Sequence, residues 1–240
     1  MLKTAVVMMT KLPIPGFCKN RLHEVLEAYE SAEFQRLCIK DLTAMVLESE
    51  LPLYIYYASP DAYKLGDHVL EVSYIPQKGE DLGERMYHAV QQTLLQYEAV
   101  IVIGSDLPDL ELRIVYKAVQ DLEQSDMVLG PCYDGGYYLL GTKAAHPEIF
   151  AGISWGSPQV LDQTLDKAKK SGLSLRLLET RRDIDTWYDI VDYYDRNTGV
   201  NRTDTCVYTE QLIKKYGYSG RGDRDAVKNK SVTWRGGCSK

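Results

Sequence analysis

The chain has 240 residues, which suits one large domain or two small ones and allows a substantial core. Its apolar fraction of 45% and charged fraction of 26% are those of an ordinary soluble globular protein. A net charge of -6 excludes a general attraction for nucleic acid or anionic lipid, so any phosphate must be held by a local basic site.

The chain opens on a short apolar run, Ala5 to Met9, too short for a membrane span and not followed by a signal-type cleavage site. It reads as a buried first strand, Thr4–Met9. Glu24–Leu47 is mostly helical, Leu51–Ala58 is a second strand and Val72–Ile75 a short third. Asp81–Gln96 is a helix whose apolar residues recur at helical spacing, with Asp81 and Glu84 placed as a capping box. Ala99–Ile103 is a run of small and branched residues, as expected of a central parallel strand covered on both faces.

Leu110–Leu122 is again helix, with Asp109 in capping position. Asp126–Gly130 and Tyr137–Gly141 are strands joined by a double-glycine turn. Ser157 and Pro158 read as the cap and first residue of a helix reaching about Lys170. Leu173–Leu178 is the last strand and Thr186–Tyr194 the last helix. Alternation of this kind predicts an open, mostly parallel sheet with helices on both faces.

Five scattered cysteines (Cys18, Cys38, Cys132, Cys206, Cys238) form no CxxC pair, which points to free thiols in a reducing, cytoplasmic setting. The two N-x-[ST] sequences, at Asn201 and Asn229, are chance matches without a secretion signal. Residues 1–216 read as one domain and 217–240 as a basic, glycine-rich tail. From Ser219 onward, six basic and two acidic residues give the tail a charge of +4 against -10 for the rest.

In open α/β sheets ligands bind beyond the carboxyl ends of the strands, so the loops there carry the functional reading. The first is Lys11-Leu-Pro-Ile-Pro-Gly-Phe-Cys-Lys-Asn-Arg21, in which prolines and Gly16 fix a tight backbone. Its cations and helix-start amides suit a phosphate chain, although the spacing is neither Walker A nor GxGxxG. The next is Gly104-Ser-Asp-Leu-Pro-Asp109, where Asp106 closes a buried strand and offers oxygen to Mg²⁺ or Mn²⁺. Asp183 or Asp185, after the last strand, supplies a second carboxylate at the same edge.

The stretches KLPIPGFCKNRL, QKGEDLGERM, IGSDLPDL, LGPCYDGGYYLLG, Ile153-Ser-Trp-Gly-Ser and DIDTWYDI occur in one order over about residues 4 to 195. Together they resemble the GT-A-like family of selenodomain-associated transferases, relatives of the nucleotide-diphospho-sugar transferases. The resemblance implies a three-layer, Rossmann-like GT-A fold. It also implies a nucleotide site under the first loop, with Lys19 and Arg21 meeting phosphate and Lys11, Gly16, Arg85 and Ser105 among the nucleotide-binding residues. Gln77 and Gly79 then lie where related nucleotidyltransferases read the base.

Asp106 and Asp185 become the metal-binding and catalytic carboxylates. Asp134, Gly135, Gly136, Tyr137 and Trp155 fall in the acceptor segment, which runs from Asp134 to Ser157. Two departures stand out: Asn20 replaces the Thr common between the family's Lys and Arg, and the acidic motif is Asp-Leu-Pro-Asp instead of Asp-x-Asp.

The implied activity is a metal-dependent transfer of a glycosyl group from a nucleotide sugar to a small-molecule acceptor. Transfer of a nucleotidyl group from a nucleoside triphosphate to a phosphorylated small molecule uses the same cradle, and a non-catalytic nucleotide-binding protein would keep it too. No nucleic-acid partner is expected, and the tyrosine-rich strands leave room for a homodimer.

Overall fold

A computed structural model describes residues 2–60, 72–197 and 203–216; the predicted tail, with Cys238, lies outside them. Seven strands form a single sheet: β1 (Thr4–Lys11), β2 (Leu53–Ala58), β3 (Ser73–Pro76), β4 (Ala99–Gly104), β5 (Met127–Pro131), β6 (Tyr137–Thr142) and β7 (Leu175–Leu177). Their order is β3-β2-β1-β4-β6-β5-β7. Parallel pairs link β1 to β2 and β4, β2 to β3, and β5 to β7, while β6 alone runs antiparallel, between β4 and β5.

The sheet is covered on both faces because its central strands β1 and β4 carry apolar residues on both sides, from Ala5 to Met9 and from Ala99 to Ile103. In β1, Val6 and Met8 pack with Ile39, Leu42 and Val46 of α1 (Ala28–Leu47). Ile114 and Val115 of α3 (Leu112–Leu122) close the same layer. Val7 and Met9 point the other way, onto Met86, Ala89 and Val90 of α2 (Leu82–Thr93). Ala168 of α4 (Val160–Lys170) completes that layer. Period-two alternation along β1 and β4 thus builds the three layers expected from the sequence.

A third apolar cluster joins α1 to α5 (Trp187–Asn197) and α6 (Asp204–Tyr216) through Phe34, Trp187, Ile190 and Leu212. Helix α6 had no counterpart in the sequence reading. Its inner face carries Thr205 and Thr209 beside Cys206, Leu212 and Ile213, so its apolar stripe is weak. Polar contacts help to anchor it: Lys215 pairs with Glu30 at 2.7 Å, the Tyr216 hydroxyl donates to Glu30 at 2.6 Å, and the Thr205 amide donates to Asp41.

Several predicted boundaries move, each for a local reason. The helix expected from Glu24 divides into a 3₁₀ turn (Asn20–Glu24) and α1, whose start is fixed by a reciprocal Glu27–Glu30 capping box. Asp109 does not cap α3. It accepts from Arg196 and Asn197 of α5 instead, tying that helix to the loop after β4. The helix expected from Ser157 starts at Val160, because the Pro158 backbone is packed against Gly135 and the Leu161 amide donates to the Gly135 carbonyl at 2.8 Å. Asp81 caps α2 as expected, accepting from the Glu84 amide at 2.8 Å. Among the described residues, no helix is long and apolar enough to cross a membrane.

Candidate active site

The carboxyl ends of β1, β4, β5 and β7 and the start of the antiparallel β6 all reach one edge of the sheet, so the loops singled out in the sequence converge there. They enclose a cavity of about 270 Å³. Its wall is largely apolar, from Met9, Leu82, Met86, Leu140 and Val160, and its polar groups include Arg21, Asp106, Asp134 and Asp185. Predicted residues Gly136, Tyr137 and Trp155 also line it. The Tyr137 and Trp155 rings meet edge to face, with centroids 6.3 Å apart.

Two segments distant in sequence are locked together at the mouth of this cavity. The Ile184 amide donates to the Asp106 carbonyl at 2.8 Å, which sets the Asp185 and Asp106 carboxylates side by side. Lys19 Nζ pairs with Asp106 at 2.5 Å, lies 3.8 Å from Asp185 and donates to the Ile184 carbonyl. Arg21 reaches Asp185 from the solvent side at 3.0 Å. Burial pulls the Lys19 amine down, but the facing Asp106 and Asp185 more than offset it and hold the ammonium above its ordinary value. Burial also lifts the Asp185 carboxyl, against the opposing pull of Lys19.

Lys19 therefore departs from expectation. Its side chain is only 4% exposed and its ammonium faces carboxylates, where the sequence pointed to phosphate. Ser105 departs too. Its hydroxyl is buried, accepting from Gln35 at 2.7 Å and from Thr10 at 2.9 Å, and so braces the ends of β1 and β4 against α1.

Gln77 spends its amide on the carbonyls of Thr10 and Tyr56, and Lys11 lies over the Phe17 ring. Gly79, at φ 133°, has Arg85 donating to its carbonyl, and an added Cβ there would meet Glu84 at 2.6 Å. Lys11, Gly16, Gln77, Gly79 and Arg85 are absent from the cavity wall.

The double-glycine turn supplies another part of the cavity wall, with Asp134 and Gly136. Asp134 accepts from the Gly136 amide at 2.9 Å, Gly135 adopts φ 90°, and the Cys132 amide donates to the Gly136 carbonyl. Ligand atoms of Cys132, Asp134 and Asp183 lie within 4.8 Å of one another. Neither Asp134 nor Asp183 forms an ion pair among the described residues. Arg182, beside them, turns instead to Asp189, Asp192 and the Tyr133 ring. Burial, then repulsion from Asp134, Asp185 and Asp106, pushes the Asp183 carboxyl up to about 7.

The sequence offered Asp183 only as an alternative to Asp185, whereas the structure puts both at the site. Cys132, Gly156 and Ser157 also stand at it. Their signal in the sequence was proximity to the glycine turn and to Trp155.

Asp106 and Asp185 offer the oxygen donors that a hard divalent cation takes, although here they face the Lys19 ammonium. They are two oxygen donors set side by side at a cavity mouth, with side chains 46% and 38% exposed.

A family model described as uncharacterized proteins conserved in bacteria (DUF2064) matches residues 42–157. The crystal structure of a protein from Desulfovibrio desulfuricans G20, assigned to the nucleotide-diphospho-sugar transferases, is 32% identical with a TM-score of 0.83. The match covers 90% of this chain and 99% of that one.

Two further structures share the fold. A CMP:2-keto-3-deoxy-manno-octonic acid synthetase complexed with CTP is 10% identical with a TM-score of 0.52, over 80% of this chain and 96% of its own. A 4-diphosphocytidyl-2C-methyl-D-erythritol synthase from Anaerococcus prevotii DSM 20548 is 8% identical with a TM-score of 0.51, over 79% and 96%. No curated protein sequence matches the chain.

Proposed function

The chain belongs to the nucleotide-diphospho-sugar-transferase-like family of the Desulfovibrio protein, and from that premise we propose that it transfers a glycosyl group from a nucleotide sugar to a small-molecule acceptor. One observation carries this reading: the Asp106–Asp185 pair, with Arg21 beside it, opens onto an apolar-walled cavity that holds Tyr137 and Trp155. Charge is gathered at the mouth, where a diphosphate would lie. Aromatic surface is gathered inside, where a sugar or an apolar acceptor would stack.

In this reading Asp106 and Asp185 hold Mg²⁺ or Mn²⁺. The metal, when bound, stabilises the negative charge of a departing nucleoside diphosphate. Arg21, 67% exposed, offers a planar, multiply donating group to the same oxygens. Asp134, fixed by the Gly136 amide, lines the same cavity and orients acceptor hydroxyls. The apolar wall excludes water that would otherwise compete with the acceptor.

A thermal-shift series with nucleotide sugars and nucleoside triphosphates, each with Mn²⁺ or with chelator, tests the proposal. A ligand at about 100 times its Kd stabilises by roughly 2.7 kcal/mol, which is readily seen. The expected result is a metal-dependent shift with nucleotide sugars that is lost in Asp106→Ala. A shift confined to triphosphates would replace glycosyl by nucleotidyl transfer. No shift with either class would leave a protein that kept the cradle without this activity.

A further inference from the structure

The three cations of the first loop are placed very differently. Lys11 lies over the Phe17 ring, and Arg21 is largely in solvent. Lys19 alone is buried, threaded behind the loop so that its ammonium reaches Asp106, Asp185 and the Ile184 carbonyl. Its backbone is also unusual. At φ 51° and ψ 40° it is the one described non-glycine residue with positive φ, and its carbonyl accepts from Leu22 to start the 3₁₀ turn. A residue kept in this conformation is held there by its surroundings, and such outliers gather at functional sites.

The position of the ammonium bears on metal binding. A divalent cation that took the Asp106 and Asp185 carboxylates would approach oxygens that Lys19 already holds. Two positive centres sharing one pair of carboxylates repel each other strongly in a partly desolvated site. We propose that Lys19 is the resident cation of the Asp106–Asp185 pair and competes directly with the divalent metal for it. This inference rests on the reading above, in which that pair is the metal site.

Competition of this kind has a consequence for ligand order. Metal alone must displace an ammonium that would be left buried with the Ile184 carbonyl but no carboxylate to offset its charge, which is costly. A diphosphate arriving with the metal supplies oxygens to which the released ammonium can turn. Metal and diphosphate then promote each other's binding, and the coupling is the same in both directions. The phosphate role that the sequence suggested for Lys19 becomes its second position instead of its resting one.

The test is titration of the full chain with Mn²⁺ alone, followed by the electron paramagnetic resonance signal of free Mn²⁺. Lys19→Met removes the resident charge and is expected to bind Mn²⁺ at least ten-fold more tightly than wild type. Lys19→Arg keeps the charge and is expected to bind no more tightly than wild type. Adding Asp106→Asn to Lys19→Met should abolish the gain, which assigns it to this pair and not to Asp134 and Asp183.

Melting temperatures give a second reading. In wild type the shift with Mn²⁺ and pyrophosphate together should exceed the sum of the separate shifts. In Lys19→Met that excess should shrink, because metal alone already binds. If Lys19→Met folds poorly, Lys19→Gln removes the charge while keeping a donor.

Mn²⁺ binding in Lys19→Met that is equal to or weaker than wild type would overturn the competition and leave the proposed function standing. No Mn²⁺ binding in any of the proteins would overturn both.

Discussion

Two pairs of aspartates stand on the same edge of the sheet, and the protein treats them in opposite ways. Asp106 and Asp185 are both met by the buried Lys19, and Asp185 also by Arg21 from the solvent side. Asp134 and Asp183 meet no cation among the described residues, and Asp183 is pushed up to about 7 by burial and by its acidic neighbours. Asp183 and Asp185 are two residues apart, so chain position does not decide the difference. Lys19, more than 160 residues away in sequence, decides it by choosing one pair. The first pole is built by side-chain charge; the second is built by backbone, through the hairpin at Gly135 and Gly136.

Removing one carboxylate from each pole should therefore give opposite signs. Asp106→Asn leaves a buried ammonium with Asp185 at 3.8 Å as its remaining carboxylate. Stripping a buried charge of its partner costs ~3–5 kcal/mol, and the lower end applies here because Asp185 and the Ile184 carbonyl stay. The expected loss is about 3 kcal/mol, read as a lower urea midpoint in chelator at pH 8 and a melting temperature lower by roughly 6–12 °C. Asp183→Asn, in the same conditions, removes a charge that burial and repulsion already oppose and should stabilise by about 1 kcal/mol. Destabilisation by both substitutions would mean that Asp183 has a partner that the geometry does not reveal.

The backbone pole can be broken without touching a charge. Gly135 sits at φ 90°, and an added Cβ would lie 2.1 Å from the Pro158 carbonyl oxygen. Gly156 has a similar φ of 78° with nothing within 4 Å. Gly135→Ala combines conformational strain with a backbone collision and should cost about 2–3 kcal/mol, whereas Gly156→Ala carries the strain alone, about 1 kcal/mol. Chemical denaturation of the two variants separates the terms. Equal losses would show that the hairpin and the start of α4 can move apart freely, and that Asp134 is not held by their contact.

Much of this arrangement was legible in the sequence because it rests on local signals. The three layers follow from period-two alternation in strands such as Val6 to Met9. The convergence of loops follows from parallel topology, and the double-glycine turn follows from its residues. What could not be read depends on contacts between distant segments. Lys19 and Arg21 look alike in a linear motif, and only the fold buries one and exposes the other. Asp109 looks like a helix cap until Arg196 arrives from α5. Helix α6 has a weak signal in the sequence because threonines occupy part of its inner face and ion pairs to α1 help to hold it in place.

Ser105 gives the smallest effect and the sharpest separation of scaffold from site. It lies next to Asp106 in sequence, and the resemblance grouped it with the nucleotide contacts. In the structure its hydroxyl accepts from Gln35 and Thr10 with only 3% of the residue exposed. Ser105→Ala should therefore remove an acceptor shared by two buried donors, of which the Thr10 hydroxyl keeps the Lys11 carbonyl at 3.0 Å, a loss of about 1–2 kcal/mol. Gln35 also donates to Thr10 at 2.9 Å, so part of the network survives and the lower figure is favoured.

Because the hydroxyl is buried on Gln35 and Thr10 and Ser105 does not line the cavity, metal-dependent nucleotide affinity at a temperature well below unfolding should change by less than about two-fold, under ~0.4 kcal/mol. A Ser105→Ala protein of unchanged stability and weakened nucleotide binding would place that hydroxyl on the ligand. It would also move the boundary between the braced strand ends and the charged pole one residue closer to the sheet.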